Sequence, residues 1–521
     1  MSTPTLPLLN LDRRKPMPLY WQIYNELRQA ILTRRLNAGM RLPSSREMAS
    51  TLGISRNTVK DAYEQLIAEG YLHAGIGSGT YVTRYLPDEL LSARGNEPIR
   101  LDAVDYSPTA IGLSTDHASQ STQRMASGLG EALRPIGSHM RHLAQAENLS
   151  PFAISKPALD AFPFDVWRRI ATSVHKQMTS RHLDLRQDPM GYLPLREAIA
   201  SHLRAVRGMR CTAEQIMILS GSQKGLYITA RALISRKAGV WLEEPGYGGT
   251  HGVAQILQSA LSLVPVDARG LDVEMGIALN DAADVAFVTP SHHFPLGYTM
   301  SLLRRLQLLH WAEEAGSWIV EDDYDSEFRY SGHPLAALQG LDINDRVIYL
   351  GTFSKVLFPA LRLGYAVLPS DLIDVFLGTK ALIDRHPPIA PQMMVTEFME
   401  QGHFTRHLRR MLGLYSERRD ALVRSVEKEL AGALTLGPSD CGMHVVGWLA
   451  PELDEEAVIA QASTIGIPID SLSRYYHGQD KCAGVLLGFT SATPDALQEG
   501  ITELAKVVDI VRQNRIAPTR A

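Results

Sequence analysis

A small α+β head followed by a large α/β body is the fold class that the sequence predicts, and three observations carry the prediction. Residues 1–84 hold three helical stretches, the last two separated by Gly53-Ile-Ser55, and close on two short apolar runs set around glycines. From Phe152 onward short apolar runs alternate with amphipathic stretches, the pattern of strands and helices in a largely parallel sheet. Charge divides the chain in the same way, with 11 Lys and Arg against 6 Asp and Glu in residues 1–84 and 41 against 50 in the remainder. A basic head on an acidic body points to a nucleic-acid module joined to a second function.

Composition sets the outer bounds. With 521 residues and 45% hydrophobic content the chain can build two or three globular cores. Cys211, Cys441 and Cys482 lie far apart without C-x-x-C spacing, which argues against a disulfide framework or a zinc site. The start Met-Ser-Thr-Pro-Thr lacks the form of a signal peptide, and no apolar run is long enough to span a bilayer. The expected compartment is the cytoplasm, with no membrane partner.

In the head, Leu19, Ile23, Leu27 and Ile31 recur at four-residue steps, the stripe of a first packed helix. Ser44 and Glu47 have the spacing of a capping box and open a second helix. Ser55 is an N-cap candidate for a third, in which Val59, Ala62, Tyr63, Leu66 and Ile67 share one face. The opposite face carries Arg56, Asn57, Thr58 and Lys60, side chains able to bond base edges and phosphates. After Gly70, the stretch Tyr71 to Val82 reads as two short strands around a glycine-rich turn, a wing. The head is therefore expected over residues 1–84 as a winged helix-turn-helix.

Periodicity fades between Arg84 and Ser150, where Ser, Thr, Gln, Asp and Gly accumulate, so residues 85–150 are expected to be a linker and 151–521 the body. In the body, informative residues sit where strands end. Gln215 to Ser220 leads into Gly221-Ser222-Gln223 and a long helix from Leu226, a helix start suited to a phosphate. Val240 to Glu244 ends in Pro-Gly-Tyr247, Val285 to Thr289 in Pro-Ser-His292-His293, and Trp318 to Glu321 in Asp322-Asp323-Tyr324-Asp325. Ligands of open α/β sheets bind outside such carboxyl ends. The two histidines are not expected to hold a metal, because adjacent side chains in an extended segment point opposite ways.

The most informative stretch runs from Arg346 to Tyr365. An apolar run ending at Gly351 and another restarting at Leu361 place Lys355 on a loop between buried strands. Thr352, Ser354 and Arg362 surround it with hydroxyls and a guanidinium, groups that suit a phosphate. A lysine amine beside a phosphate site is what a pyridoxal phosphate protein requires: the desolvated amine condenses with the aldehyde while the phosphate is anchored separately.

At this point two resemblances become specific. Leu-Pro-Ser-Ser-Arg, Ser-Arg-Asn-Thr-Val and Gly-Ser-Gly-Thr-Tyr-Val in the head resemble the winged helix of GntR-type bacterial regulators. By that resemblance Arg46, Arg56, Thr58 and Gly79 approach DNA. Thr-Phe-Ser-Lys followed by an arginine resembles the cofactor loop of fold-type I aminotransferases. That likeness implies a smaller C-terminal α/β subdomain, Asp322 beside the pyridine nitrogen, Tyr324 at the ring hydroxyl and Tyr247 stacked on the ring; Ser222 and Gln223, at the helix start after Gly221, are the candidates for the phosphate. Head, linker and body together resemble the MocR/GabR family.

The family resemblance implies a homodimeric DNA-binding transcription regulator in which pyridoxal 5'-phosphate, held as an aldimine on Lys355, is the receptor for an amino-acid or amine effector or is itself sensed. A working aminotransferase with a DNA-binding head is the alternative, in which Lys355 is the catalytic lysine. The family also implies an arginine for an effector carboxylate near the C-terminal end, for which Arg474 is the candidate. One departure is visible: where the family often has an arginine shortly after the stacking tyrosine, Tyr247 is followed by Gly-Gly-Thr-His251.

Overall fold

A computed structural model of the chain describes residues 11, 18–32, 35–37, 39–68, 71–75, 79–83, 150–235, 238–332 and 335–516. Nearly all of the expected linker, and the tip of the expected wing at 76–78, lie outside these residues.

The head follows its apolar periodicity. Helix α1 (Leu19–Leu32) buries Ile23, Leu27 and Ile31 completely. Strand β1 (Arg41–Leu42) precedes α2 (Ser45–Leu52), whose N-cap Ser44 accepts from the Glu47 amide at 3.2 Å and whose end is set by Gly53 in a left-handed conformation, φ 62°. Helix α3 (Arg56–Ala68) opens where the Ser55 hydroxyl accepts from the Asn57 amide, and it buries Val59, Ala62 and Leu66 against α1 and α2. Strands β2 (Leu72–Gly75) and β3 (Gly79–Val82) complete an antiparallel sheet of order β1-β3-β2. This is a helix-turn-helix with a two-stranded wing.

The body begins with α4 (Phe164–Gln177) and α5 (Leu193–Arg207). It continues through β4 (Ile216–Leu219), α6 (Ser222–Leu233), β5 (Val240–Glu244), α7 (Gly248–Ile256), β6 (Leu261–Asp267), β7 (Gly270–Leu271), α8 (Val273–Asn280) and β8 (Val285–Val288). Then come α9 (Leu302–Ala315), β9 (Trp318–Asp323), α10 (Leu338–Leu341), β10 (Val347–Thr352), β11 (Gly364–Val367) and α11 (Ile373–Ala381). These strands form one sheet of order β4-β11-β10-β9-β8-β5-β6-β7. Strands β10, β9, β8, β5 and β6 run parallel to one another, and β11 runs antiparallel to both β10 and β4. Helices cover both faces, so β4, β8, β10 and β11 are buried along their whole length and read as unbroken apolar runs in the sequence.

Boundaries near the site differ from the sequence reading: β9 runs on through Asp322 and Asp323 rather than ending at Glu321. The helix after Gly221 starts at Ser222 rather than Leu226, because the glycine adopts φ 102° and ends the strand abruptly. Leu361 belongs to a 3₁₀ turn, Pro359–Leu361, and the next strand begins only at Gly364.

The last part of the chain contains α12 (Ile389–Glu400), the 27-residue α13 (His403–Glu429), β12 (Leu434–Leu436), β13 (His444–Leu449), α14 (Glu455–Thr464), β14 (Asp470–Ser471), β15 (Gly484–Gly488) and α15 (Pro494–Ile516). Its four strands make an antiparallel sheet of order β12-β13-β15-β14. Leu422 of α13 and Leu497 and Ile501 of α15 are fully buried beneath it. This is the smaller C-terminal subdomain.

Candidate cofactor site

All the strand ends singled out in the sequence emerge at the carboxyl edge of the large sheet. Strand β9 delivers Asp322, which pairs in register with Leu350 of β10, and β10 continues into the Lys355 loop. The edge is therefore assembled by parallel register, and residues more than 130 apart in sequence, such as Gly221 and Lys355, come to one place.

Lys355 is partly buried, and its Nζ donates to the carbonyl of Ser155 at 3.0 Å. Burial pushes its amine below the usual lysine range, Asp325 and Asp322 work against that shift, and Arg362 adds to it. Ser354 donates its amide to the Thr352 hydroxyl at 3.1 Å, which fixes the turn leading to the lysine.

Asp322 is the most telling group. Its Oδ1 is buried without a hydrogen-bond partner, an uncompensated acceptor of the kind that folded proteins seldom leave. Burial, with the repulsion of Asp323, raises its carboxyl to about 7, while Lys355 pulls it down. It lines a small cavity together with Tyr247, Thr250, His251, Thr289 and Glu243. The Tyr247 hydroxyl donates to Gln223 Oε1 at 3.1 Å, and its ring meets Phe294 edge to face with centroids 5.9 Å apart.

An anion cradle adjoins this cavity. Arg362 lies in the left-handed region at φ 51°, and its Nη2 donates to the Ser220 carbonyl at 3.2 Å. A Cβ on Gly221 would come within 3.2 Å of that same Nη2, and the φ of 102° favours glycine there, so the guanidinium lies close against the start of α6. Ser222 and Gln223 occupy the first turn of this 12-residue helix, whose free amides and dipole favour an anion. An amine, an unpartnered carboxylate and an anion cradle at one edge of the sheet fit the groups of pyridoxal phosphate.

Several contacts at this site carried no clear sequence signal. Nδ1 of His292 lies 2.9 Å from Asp325 and 3.0 Å from the Tyr324 hydroxyl, and Tyr324 titrates well above its ordinary range through burial. His293 turns instead toward Glu243, at 3.6 Å, so the adjacent histidines serve different carboxylates. Glu243 is held by the amide and hydroxyl of Thr289 at 3.0 and 2.6 Å, and burial raises its carboxyl to about 8. Among the described residues, no cluster of His, Cys, Asp and Glu is arranged to hold a metal ion.

Arg474 sits in the 3₁₀ turn Ser473–Tyr475 with its side chain half exposed, 3.8 Å from Asp470. It is not among the described residues that line the cavity beside Asp322. Its neighbour Tyr475 does reach the site, with its ring edge to face against Phe294.

In the head, Arg46, Arg56, Asn57 and Lys60 are exposed and Thr58 is half-buried. Arg56 Nε donates to the Ser45 hydroxyl at 3.3 Å, tying the start of α3 to α2, and Lys60 pairs with Glu64 at 3.3 Å. Gly79 adopts φ 115° beside the Arg41 side chain, a conformation that favours glycine.

Comparison with known proteins agrees with both halves. Residues 19–82 match the family described as bacterial regulatory proteins, gntR family. The probable rhizopine catabolism regulatory protein MocR of Rhizobium meliloti is 36% identical over 501 residues, covering 95% of each chain. The pyridoxine biosynthesis transcriptional regulator PdxR of Corynebacterium glutamicum is 29% identical, covering 96% of this chain and 98% of its own. Among solved structures, the Pyrococcus horikoshii kynurenine aminotransferase superposes with a TM-score of 0.66 at 26% identity, covering 74% of this chain and 97% of its own. With a GntR winged helix at its N-terminus, an aminotransferase fold behind it and full-length likeness to MocR, this chain belongs to the MocR-type transcriptional regulators of the GntR family.

Proposed function

We propose that this regulator binds pyridoxal 5'-phosphate at the carboxyl edge of its large sheet and uses it as the receptor for an amine-bearing effector. The single observation that carries the reading is the unpartnered Oδ1 of Asp322, buried beside a small cavity and within the electrostatic reach of Lys355, whose own amine feels Arg362. In this reading the protonated pyridine nitrogen supplies the missing partner of that oxygen. The bound cofactor would supply an electrophilic carbon able to condense with primary amines.

The chain's own groups have separable tasks. Lys355 offers a partly desolvated amine, kept within reach by the Ser155 carbonyl. Arg362 and the first turn of α6, with Ser222 and Gln223, hold the phosphate, and Thr352 and Ser354 shape the adjoining loop. Tyr247, bonded to Gln223, would cover one face of the ring, and Tyr324, held at 3.0 Å from His292 Nδ1, would stand at the ring hydroxyl. Arg474 is the candidate for an effector carboxylate. The head reads an operator through Arg46, Arg56, Asn57, Thr58, Lys60 and Gly79, in the cytoplasm and as a homodimer. Supporting the dimer, Leu183, Leu185 and Leu382 expose 77%, 61% and 90% of their surface on the body.

The test combines absorbance and DNA binding on one protein. Adding pyridoxal phosphate should give a visible band that Lys355→Ala lacks, and primary amines should shift both the band and the affinity for the neighbouring intergenic DNA. A band without any change in DNA affinity on adding amines would favour turnover over sensing, and release of a keto product would establish it. A change in DNA affinity with pyridoxal phosphate alone would make the cofactor itself the signal.

A further inference from the structure

Asp322 and its two neighbours divide their side chains between the faces of β9, as alternation along a strand requires. Asp322 turns to the cavity, whereas Glu321 and Asp323 turn to the opposite side. On that side Asp323 Oδ2 accepts from Arg207 at 2.7 Å, from Tyr349 at 2.8 Å and from Ser326 at 2.7 Å, and both members of the Arg207–Asp323 pair are 3% exposed. Arg207 also donates to the Ser291 hydroxyl at 2.7 Å, so its planar fork is fixed on several sides.

Arg207 is the last residue of α5, and the residue after it is the seat of the head. Gly208, at φ 61°, ends the helix, and a methyl group placed on it would touch Cζ2 of Trp21 at 3.6 Å. Trp21 belongs to α1 of the head and stacks on Tyr24 with centroids 4.6 Å apart. A second tie runs alongside. Glu321 accepts from the amides of Leu338 and Gln339 at 3.0 and 3.1 Å, which pins α10 to β9. The last residue of α10, Leu341, packs against the head's own core with Leu302 and Leu306 of α9.

We propose that these two buried ties form a relay from the cofactor carboxylate to the DNA-binding head, with Asp323–Arg207–Gly208–Trp21 as its main line. The inference rests on the cofactor reading given above and adds its route of regulation. The pieces suit a relay because each is rigid: a buried ion pair fixed by several bonds, a helix end, and an indole against bare backbone. A change in the position of β9 when the Asp322 oxygen gains a partner moves Asp323 on the other face, and with it the surface on which α1 rests. The head then changes its stance without any contact between effector and head.

Hydrogen exchange on the full-length protein tests the relay, read on residues 19–25 of α1 and 205–209 around Gly208, without cofactor and with pyridoxal phosphate. In the cofactor-free protein Arg207→Lys, which keeps the charge but loses the fork, should raise exchange in α1. Unchanged exchange there overturns the relay whatever the cofactor does. In the wild type pyridoxal phosphate should alter α1 exchange, and Trp21→Ala should abolish the dependence of DNA affinity on the cofactor while keeping the visible band. A retained dependence in Trp21→Ala also overturns the relay. Should Arg207→Lys melt early, Trp21→Ala still decides, because it leaves the body's core untouched. Absence of the visible band in the wild type would instead count against the cofactor reading, and the cofactor-free arm would continue to judge the contact.

Discussion

Nζ of Lys355 donates to the carbonyl oxygen of Ser155, 200 residues away in sequence, at 3.0 Å. That bond holds an amine whose charge burial disfavours, so the neutral, nucleophilic form is reached at lower pH than for a solvated lysine. Lys355→Ala should abolish the visible absorbance of bound pyridoxal phosphate. Circular dichroism should remain that of the wild type, since the residue contributes little to the core. Retention of the band would move the anchor to another lysine.

Asp322 makes a prediction about pH. Its carboxyl is raised to about 7, by burial first, so between its ordinary value near 3.8 and that point the folded protein holds a proton that the unfolded chain has lost. The empty protein should therefore lose stability from this group as pH rises through that window, by at most about 1.4 kcal/mol per pH unit. Asp322→Asn should flatten that slope and melt higher than wild type at pH 8, while binding pyridoxal phosphate more weakly. Thermal melts of cofactor-free protein across pH 4–8 check the sign.

Arg56 opens the third helix of the head and is exposed, with its Nε bonded to the Ser45 hydroxyl. Arg56→Ala should weaken operator binding by about 1–3 kcal/mol if the guanidinium reads a base, and the loss should be confined to one position of the site. The cofactor band should not move. Mobility shifts with point-substituted operators separate this from a phosphate contact, which would weaken every sequence alike.

Three leucines on the body bear on assembly. Leu183, Leu185 and Leu382 each expose well over half of their surface on the body, as residues of an interface between copies would. Deleting residues 1–84 should leave a homodimer, and Leu382→Asp should shift it toward monomer in light scattering. A monomeric deletion product would transfer dimerisation to the head.

Much of this was legible because the chemistry sits where strands stop. The run Val347–Thr352 and the polar residues after it marked the Lys355 loop, and the row of carboxylates from Glu321 marked the carboxyl end of β9, where charged groups gather even though Glu321 and Asp323 are buried within the strand. The helix-turn-helix was legible because caps and stripes are local. The antiparallel course of β11 was not, because direction leaves no trace in a short apolar run. Nor was the pairing of Arg207 with Asp323, since arginine at a helix end and aspartate in a row of acids both look solvated until tertiary packing removes the water. His292 was visible as a residue but not as the partner of Asp325, for the same reason.

Arg362 pays a conformational cost for its position. A side chain other than glycine in the left-handed region, here φ 51° and ψ 40°, is disfavoured by about 1 kcal/mol or more. Arg362→Gly should thus leave the protein as heat-resistant as wild type or more so, while pyridoxal phosphate binds poorly. A laboratory search for hardier variants, scored by heat alone, would drift toward glycine at this position and deliver a durable repressor or activator that had gone deaf.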